Sequence, residues 1–240
     1  HNFSNDTKDS IDYLKAFLKN DLKVFSYVDK GDDNSGIFLN LSPISNNLEL
    51  YSLVINESRI EINAVTKAGI FYAIITLRQL ISIYGKSLPA MKIIDYPHFK
   101  YRGLLLDVAR HFFNVEEVKA IIDIMAMHKL NTLHLHLSDD EGTRINLQLN
   151  NMAAYLRGYG YSMTGMMFIQ ANLDPTNYLN QVYASINTSY SGMYSNSDLQ
   201  NIINYANERN VTIIPEIDSP GHARALIKAL PDALIDPNDH

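Results

Sequence analysis

The chain has 240 residues, 46% of them apolar, with 20 Lys+Arg against 26 Asp+Glu, a formal charge of −6, and neither cysteine nor tryptophan. A net negative chain with no cationic run excludes a nucleic-acid partner, because binding a phosphate backbone needs clustered cations to release counterions. The absence of cysteine excludes disulfides, thiolate zinc sites, iron–sulfur clusters and a thiol nucleophile, and leaves the compartment open.

Along the chain, Ile11, Leu14, Phe17 and Leu18 recur at helical spacing within Asp9–Asn20. The period then changes to two in Gly36–Leu41, Tyr51–Ile55 and Arg59–Asn63, which read as short strands. Asn56-Glu57-Ser58 between the last two has the length of a hairpin connection. Thr66–Tyr84 returns to helical periodicity; its apolar run is broken by Arg78 and Gln79 and falls short of the roughly 20 apolar residues a bilayer span requires, so no membrane partner is expected. Residues 1–97 are therefore predicted to form a small α+β domain, an antiparallel sheet with the Thr66 helix on one face, closed off by Gly85, Pro89 and Pro97. The chain opens on His1 with no charged segment followed by an apolar one, so residue 1 is expected to be a processed, trimmed or engineered start.

After Pro97 the grammar alternates: strand Gly103–Val108, helix Val115–Lys129, strand Thr132–Leu137, helix Ser197–Asn210, strand Thr212–Ile217, then helical His222–Leu230. Strand–helix alternation predicts a parallel α/β sheet. Asn114 is placed to cap the Val115 helix, and Ser195 with Asp198 three residues on resembles a capping box. Between Glu141 and Asn196 lies a connection of about 55 residues, far beyond the usual βα loop, leaving the carboxyl end of a strand where α/β folds build their sites. Residues 98–240 supply three βα units, whereas a closed eightfold barrel takes about 250 residues. The fold class expected is thus α/β, a partial (β/α)8 TIM barrel preceded by the α+β domain. The remainder of the barrel is expected in further sequence or in a second chain, unless the chain is a non-native product.

Polar residues collect at the three strand ends: Asp107, Arg110 and His111; Ser138, Asp139, Asp140 and Glu141; Glu216, Asp218 and His222. Any one of them could be a helix cap or a surface ion pair. Three clusters at equivalent strand ends predict one shared rim and a polar small-molecule site.

The stretches Tyr101-Arg-Gly-Leu-Leu-Leu-Asp-Val-Ala-Arg-His-Phe112, His128-Lys-Leu-Asn131, His134-Leu-His-Leu-Ser-Asp-Asp-Glu-Gly142 and Ile214-Pro-Glu-Ile-Asp-Ser-Pro-Gly-His222 resemble, in order and spacing, the β-N-acetylhexosaminidases of glycoside hydrolase family twenty. Asp140-Glu-Gly142, Pro220-Gly-His-Ala-Arg224 and Leu234-Ile-Asp-Pro-Asn-Asp-His240 are most like the bacterial chitobiase branch, and the likeness extends back to about Tyr51. The resemblance implies a retaining exo-hydrolase that releases terminal N-acetylglucosamine or N-acetylgalactosamine, with the substrate's own acetamido oxygen as nucleophile and no cofactor. It assigns Arg110 to the hydroxyls of the terminal sugar, and Asp139 to a pair with His222, which in turn orients the general acid and the sugar. The partner it implies is an oligosaccharide ending in an N-acetylhexosamine.

The family's catalytic Asp-Glu pair follows a Gly-rich stretch at the end of the next strand, and no such pair lies within this chain. Asp140-Glu141 belong to the earlier motif and are not expected to replace it, and Thr143 stands where the family usually has Trp. As a solitary chain the protein is expected to be inactive. Two other readings stay open: a truncated or degenerate sugar-binding module without turnover, and a metal-dependent barrel hydrolase using His134 and His136, which alternate onto one strand face. Chitin-type substrates imply a periplasmic or secreted location. The Asn-x-Ser/Thr sequons at Asn2, Asn5, Asn40, Asn56, Asn187 and Asn210 carry little weight in so Asn-rich a chain.

Overall fold

A computed structural model describes residues 7–23, 35–43, 45–140, 142–145 and 192–225. Glu141, most of the long connection, the continuation of the last helical segment past residue 225, the Leu234–His240 motif and the sequons at Asn2, Asn5 and Asn187 lie outside them. The chain divides into two compact units. One comprises His1–Arg102, Met125–Asn131 and Glu208–Asn210; the other comprises Gly103–Ile124, Thr132–Asn207 and Val211–His240.

The first unit contains α1 (Lys8–Asn20), β1 (Gly36–Leu41), β2 (Tyr51–Ile55), β3 (Arg59–Ala64), α2 (Lys67–Tyr84) and β4 (Met91–Asp95). Its strands form one sheet in the order β1-β3-β2-β4. The β2–β3 hairpin forms as the three-residue spacing predicts, with Ile55 facing Ile60 at its closed end. The sheet is nevertheless mixed rather than antiparallel, because β1 pairs with β3 in parallel, Ile37 beside Ile60 and Leu39 beside Ile62. Periodicity sets which residues face the core but carries no strand direction, which is why the expectation failed here. The strand β4, in a stretch read only as Pro-punctuated connection, adds to β2 with Met91 opposite Ile55 and Asp95 opposite Tyr51.

Helix α2 is apolar nearly all round and is correspondingly buried, with Ile70, Phe71, Ala73, Ile74, Ile75 and Leu77 fully enclosed. The core it shares with the inward residues Tyr51, Leu53, Ile55 and Ile62 of the sheet is completed by Leu14 and Phe17 of α1. The His128–Asn131 motif braces this unit. Lys129 donates from Nζ to Asp95 Oδ2 (2.7 Å) and to the Tyr51 hydroxyl (2.8 Å), and Asn131 Nδ2 donates to the Lys100 carbonyl (2.8 Å).

The second unit contains β5 (Gly103–Asp107), the greater part of α3 (Val115–Met127), β6 (Thr132–His136), α4 (Asn196–Asn207) and β7 (Thr212–Glu216). The strands are parallel in the order β5-β6-β7, so β6 is central and buries Leu133, Leu135 and His136. Both helix starts carry the caps read from sequence. The Asn114 Oδ1 accepts from the Glu117 amide (3.0 Å) while Glu117 Oε2 accepts from the Asn114 amide (2.7 Å). Ser195 and Asp198 make the same reciprocal pair at 3.1 and 2.9 Å. One expectation shifts: residues 221–222 form a turn, and helix begins only at Arg224, two residues later than the pattern from His222 suggests.

Candidate active site

Parallel pairing in register carries Asp107, His136 and Glu216 to the same end of three adjacent strands. The segments that follow each strand then deliver the remaining polar residues. Asp107 turns its carboxylate over the start of the β5 loop, where Oδ1 accepts the amide N–H groups of Ala109 and Arg110 at 3.0 Å each. Its other oxygen holds Arg110 Nη1 at 2.6 Å, and Nη2 of the same guanidinium contacts Asp139. The Arg110 fork therefore spans two carboxylates on neighbouring strand ends.

Asp139 is the hub. Its side chain is 2% exposed, yet it holds two groups that face solvent, Arg110 at 45% and His222 at 57%. Oδ2 meets His136 Nε2 at 2.7 Å; Oδ1 accepts the Asp140 amide at 2.6 Å and lies 3.2 Å from His222 Nδ1. Burial works to raise the Asp139 pKa, but the Asp140 amide, His136, and the charges of Arg110 and His222 outweigh it and hold the carboxyl below its usual range.

Behind the hub lies a feature that sequence reasoning did not assign. His136, only 7% exposed at its side chain, bridges Asp139 on Nε2 and Glu216 Oε1 on Nδ1 (3.0 Å), and His134 Nε2 reaches the other Glu216 oxygen at 2.6 Å. Burial pulls the His136 pKa down, while hydrogen bonds to Asp139 and Glu216 and the charges of Glu216 and Asp107 push it further up, leaving it raised. Glu216 is displaced the opposite way: burial raises it and the two imidazoles hold it low. The unit is an imidazole with a carboxylate at each ring nitrogen. Only the alternation of His134 and His136 hinted at it in the sequence.

Of the other predicted rim residues, Asp218 donates its amide to Ser138 Oγ (3.1 Å), and Asp140 Oδ1 accepts the Arg224 amide (3.1 Å). The structure thus brings the three clusters together, with His111 packed against the Phe113 ring at 4.5 Å. Among the described residues a cation could find donors in His136, Glu216 and Asp218 or in Asp139, Asp140 and His222, and His134 belongs to neither group. Both nitrogens of His136 already face carboxylates, so a metal there would displace one of those contacts. The geometry suits instead a neutral, hydroxyl-rich ligand: an exposed guanidinium fork and an exposed imidazole, each fixed by a buried carboxylate, with no need for the ligand itself to be charged.

Comparison with known proteins is consistent across sequence and structure. The chain matches the models of glycosyl hydrolase family 20, catalytic domain, over residues 99–240 and of glycosyl hydrolase family 20, domain 2, over residues 3–96. It is 40% identical over 195 residues to a beta-hexosaminidase of Vibrio furnissii, an alignment that takes in 79% of this chain and 29% of that protein. It is 37% identical to the N,N'-diacetylchitobiase of Vibrio harveyi over 75% of this chain and 20% of that one. Among solved structures it resembles an exo beta-N-acetylglucosaminidase from Vibrio harveyi in complex with N-acetylglucosamine, with a TM-score of 0.75 and 31% identity over 99% of this chain and 35% of that one. The Streptomyces plicatus N-acetyl-beta-hexosaminidase in complex with Thio-NAglucal matches with a TM-score of 0.73 and 30% identity, over 94% of this chain and 42% of that one. The chain spans less than half the length of each of these relatives.

Proposed function

The chain belongs to glycosyl hydrolase family 20, and on that premise we propose that it forms the sugar-recognising portion of an exo-acting β-N-acetylhexosaminidase acting on oligosaccharides that end in an N-acetylhexosamine. The observation that carries this reading is Asp139: one buried carboxylate fixes both exposed donors, Arg110 and His222, at a common rim. In this reading residues 98–240 are the first three βα units of a TIM barrel, and the general acid with its Asp partner is supplied from outside these 240 residues. An exported location, periplasmic or extracellular, accords with chitin-type substrates.

The chemistry follows from the placement. Arg110 clasps the hydroxyls at the far edge of the terminal sugar, its fork held in place by Asp107 and Asp139, so that little rotamer freedom is lost on binding. The substrate's acetamido oxygen attacks the anomeric carbon, the glycosidic C–O bond breaks, and the leaving oxygen takes a proton from the acid. Water then opens the cyclic intermediate with retention of configuration. His222, its Nδ1 facing Asp139, has its other nitrogen left to orient the acid and the sugar.

The test is a paired one on chain of verified intact mass: calorimetric binding of N-acetylglucosamine to the wild type and to Arg110→Ala, beside hydrolysis of a chromogenic N-acetyl-β-glucosaminide. Binding that Arg110→Ala abolishes, without turnover, is expected. Turnover by the verified chain would show that the acid is within it; no binding of N-acetylglucosamine or N-acetylgalactosamine would remove the recognition role.

A further inference from the structure

Arg144 is the largest fully enclosed side chain in the described residues, at 0% exposure, a costly place for a permanent charge. Among the described residues its guanidinium donates to three backbone carbonyls. Nε donates to Val108 (2.9 Å), Nη2 to Ala109 (2.7 Å) and Nη1 to Gly192 (3.0 Å). Val108 and Ala109 are the two residues immediately before Arg110. The surrounding cradle is shaped for this contact. A Cβ at Gly142 would stand 2.8 Å from Arg144 Cζ, and one at Gly192 would stand 2.3 Å from the Phe112 ring, over which the Arg144 guanidinium lies at 5.7 Å. Tyr194 continues the clamp by donating its hydroxyl to the Phe113 carbonyl, and the backbone carbonyl of Arg144 accepts the Tyr194 amide at 2.8 Å.

We infer that Arg144 is a positioning residue for Arg110: by gripping the carbonyls of Val108 and Ala109 from below, while Asp107 grips the amides of Ala109 and Arg110 from the same strand end, it sets the reach of the Arg110 guanidinium to Asp139. A lysine cannot replace it, because one ammonium on a flexible stem cannot hold acceptors from two chain segments in a fixed plane. The consequence for sugar binding rests on the reading of Arg110 given above; the consequence for Arg110 itself does not.

The two are separated by measuring both. In chain labelled with nitrogen-15 arginine, a guanidinium held by two carboxylates rotates slowly about Nε–Cζ and shows distinct Nη signals, which Asp139→Asn should collapse for Arg110. Arg144→Lys should collapse the Arg110 signals in the same way while the backbone amide spectrum stays dispersed, and should abolish N-acetylglucosamine binding. A folded Arg144→Lys chain that keeps the resolved Arg110 signals overturns the inference. Wild-type chain that fails to bind the sugar overturns the functional reading alone, since the Arg110 signals still report. If Arg144→Lys does not fold, wild-type chain in urea below its global unfolding transition decides: Arg110 signals that collapse as protection of the Arg144 protons is lost support the coupling, and resolved Arg110 signals that persist after that protection is lost refute it.

Discussion

His136 and Asp139, three residues apart where β6 gives way to its loop, meet in a buried contact of 2.7 Å between Nε2 and Oδ2. The contact makes the anchor of the candidate site a carboxyl–imidazole pair rather than a lone acid. Glu216, 3.0 Å from the other ring nitrogen, makes it a triad.

That triad sets a pH signature. The His136 pKa is raised above its ordinary 6.5, so the stability it contributes is complete below 6.5 and is lost as pH rises through the elevated native value. Asp139 is lowered from 3.8, so its contribution is present above 3.8 and is lost as pH falls through the depressed native value. His136→Phe, which leaves the buried Asp139 and the half-buried Glu216 without the imidazole between them, should destabilise the chain by about 3 kcal/mol at pH 5 and by clearly less at pH 9. Urea unfolding at the two pH values checks this; an equal loss at both would mean that His136 is neutral in the native chain.

Arg110→Lys separates binding from folding. The side chain is 45% exposed, and exposed ion pairs contribute about 0–1 kcal/mol, so the unfolding midpoint should hardly move. An ammonium cannot span Asp107 and Asp139 and still present a fork, so sugar recognition should weaken by about 2 kcal/mol. Calorimetric titration with N-acetylglucosamine beside urea unfolding reads both; unchanged affinity would remove Arg110 from the sugar site.

Thr143 offers a gain in stability. It is fully buried, in an isolated antiparallel bridge with Ser138, and its hydroxyl has no hydrogen-bond partner among the described residues. Thr143→Val keeps the shape and removes the unsatisfied group, and should stabilise the chain by about 1 kcal/mol. A lower melting temperature would show that the hydroxyl is bonded after all.

Gly69→Ala sets helix propensity against packing. Alanine in a helix interior is favoured over glycine by about 1 kcal/mol, but a Cβ here would stand 2.8 Å from the Leu50 carbonyl oxygen and 2.9 Å from Ala64 Cβ. Backbone cannot yield as a flexible side chain does, and overpacking costs roughly 1–3 kcal/mol, so a net loss of about 1 kcal/mol is expected from thermal unfolding. A stabilised variant would show that the first turn of α2 can retreat from the sheet.

Where one local rule governs, the sequence was readable: the period-two runs mark β1, β2 and β3, and the Asn114 and Ser195 caps begin α3 and α4. What escaped depends on non-local pairing. The parallel β1–β3 partnership leaves no trace in the alternation of either strand. The strand β4 is a five-residue edge between Pro89 and Pro97, with Ile94 facing out at 60% exposure, so its alternation is blurred. At the rim, the order of polar residues along the chain foretold that Asp107, Asp139 and His222 would converge. Nothing foretold that His136 would take two carboxylates, or that Arg144 would reach the carbonyls of Val108, Ala109 and Gly192, because both depend on which atoms remain to be satisfied once the strands are paired.

His222 holds a left-handed backbone, φ 55°, which a side chain with a Cβ occupies at a cost of about 1 kcal/mol. Glycine or asparagine would sit there more comfortably. Directed evolution for melting temperature alone would therefore drift towards erasing the imidazole at 222, whereas, on the function proposed above, a screen on sugar capture would keep it. Divergence between two such lineages at this one codon would measure what the scaffold gives up for its ligand.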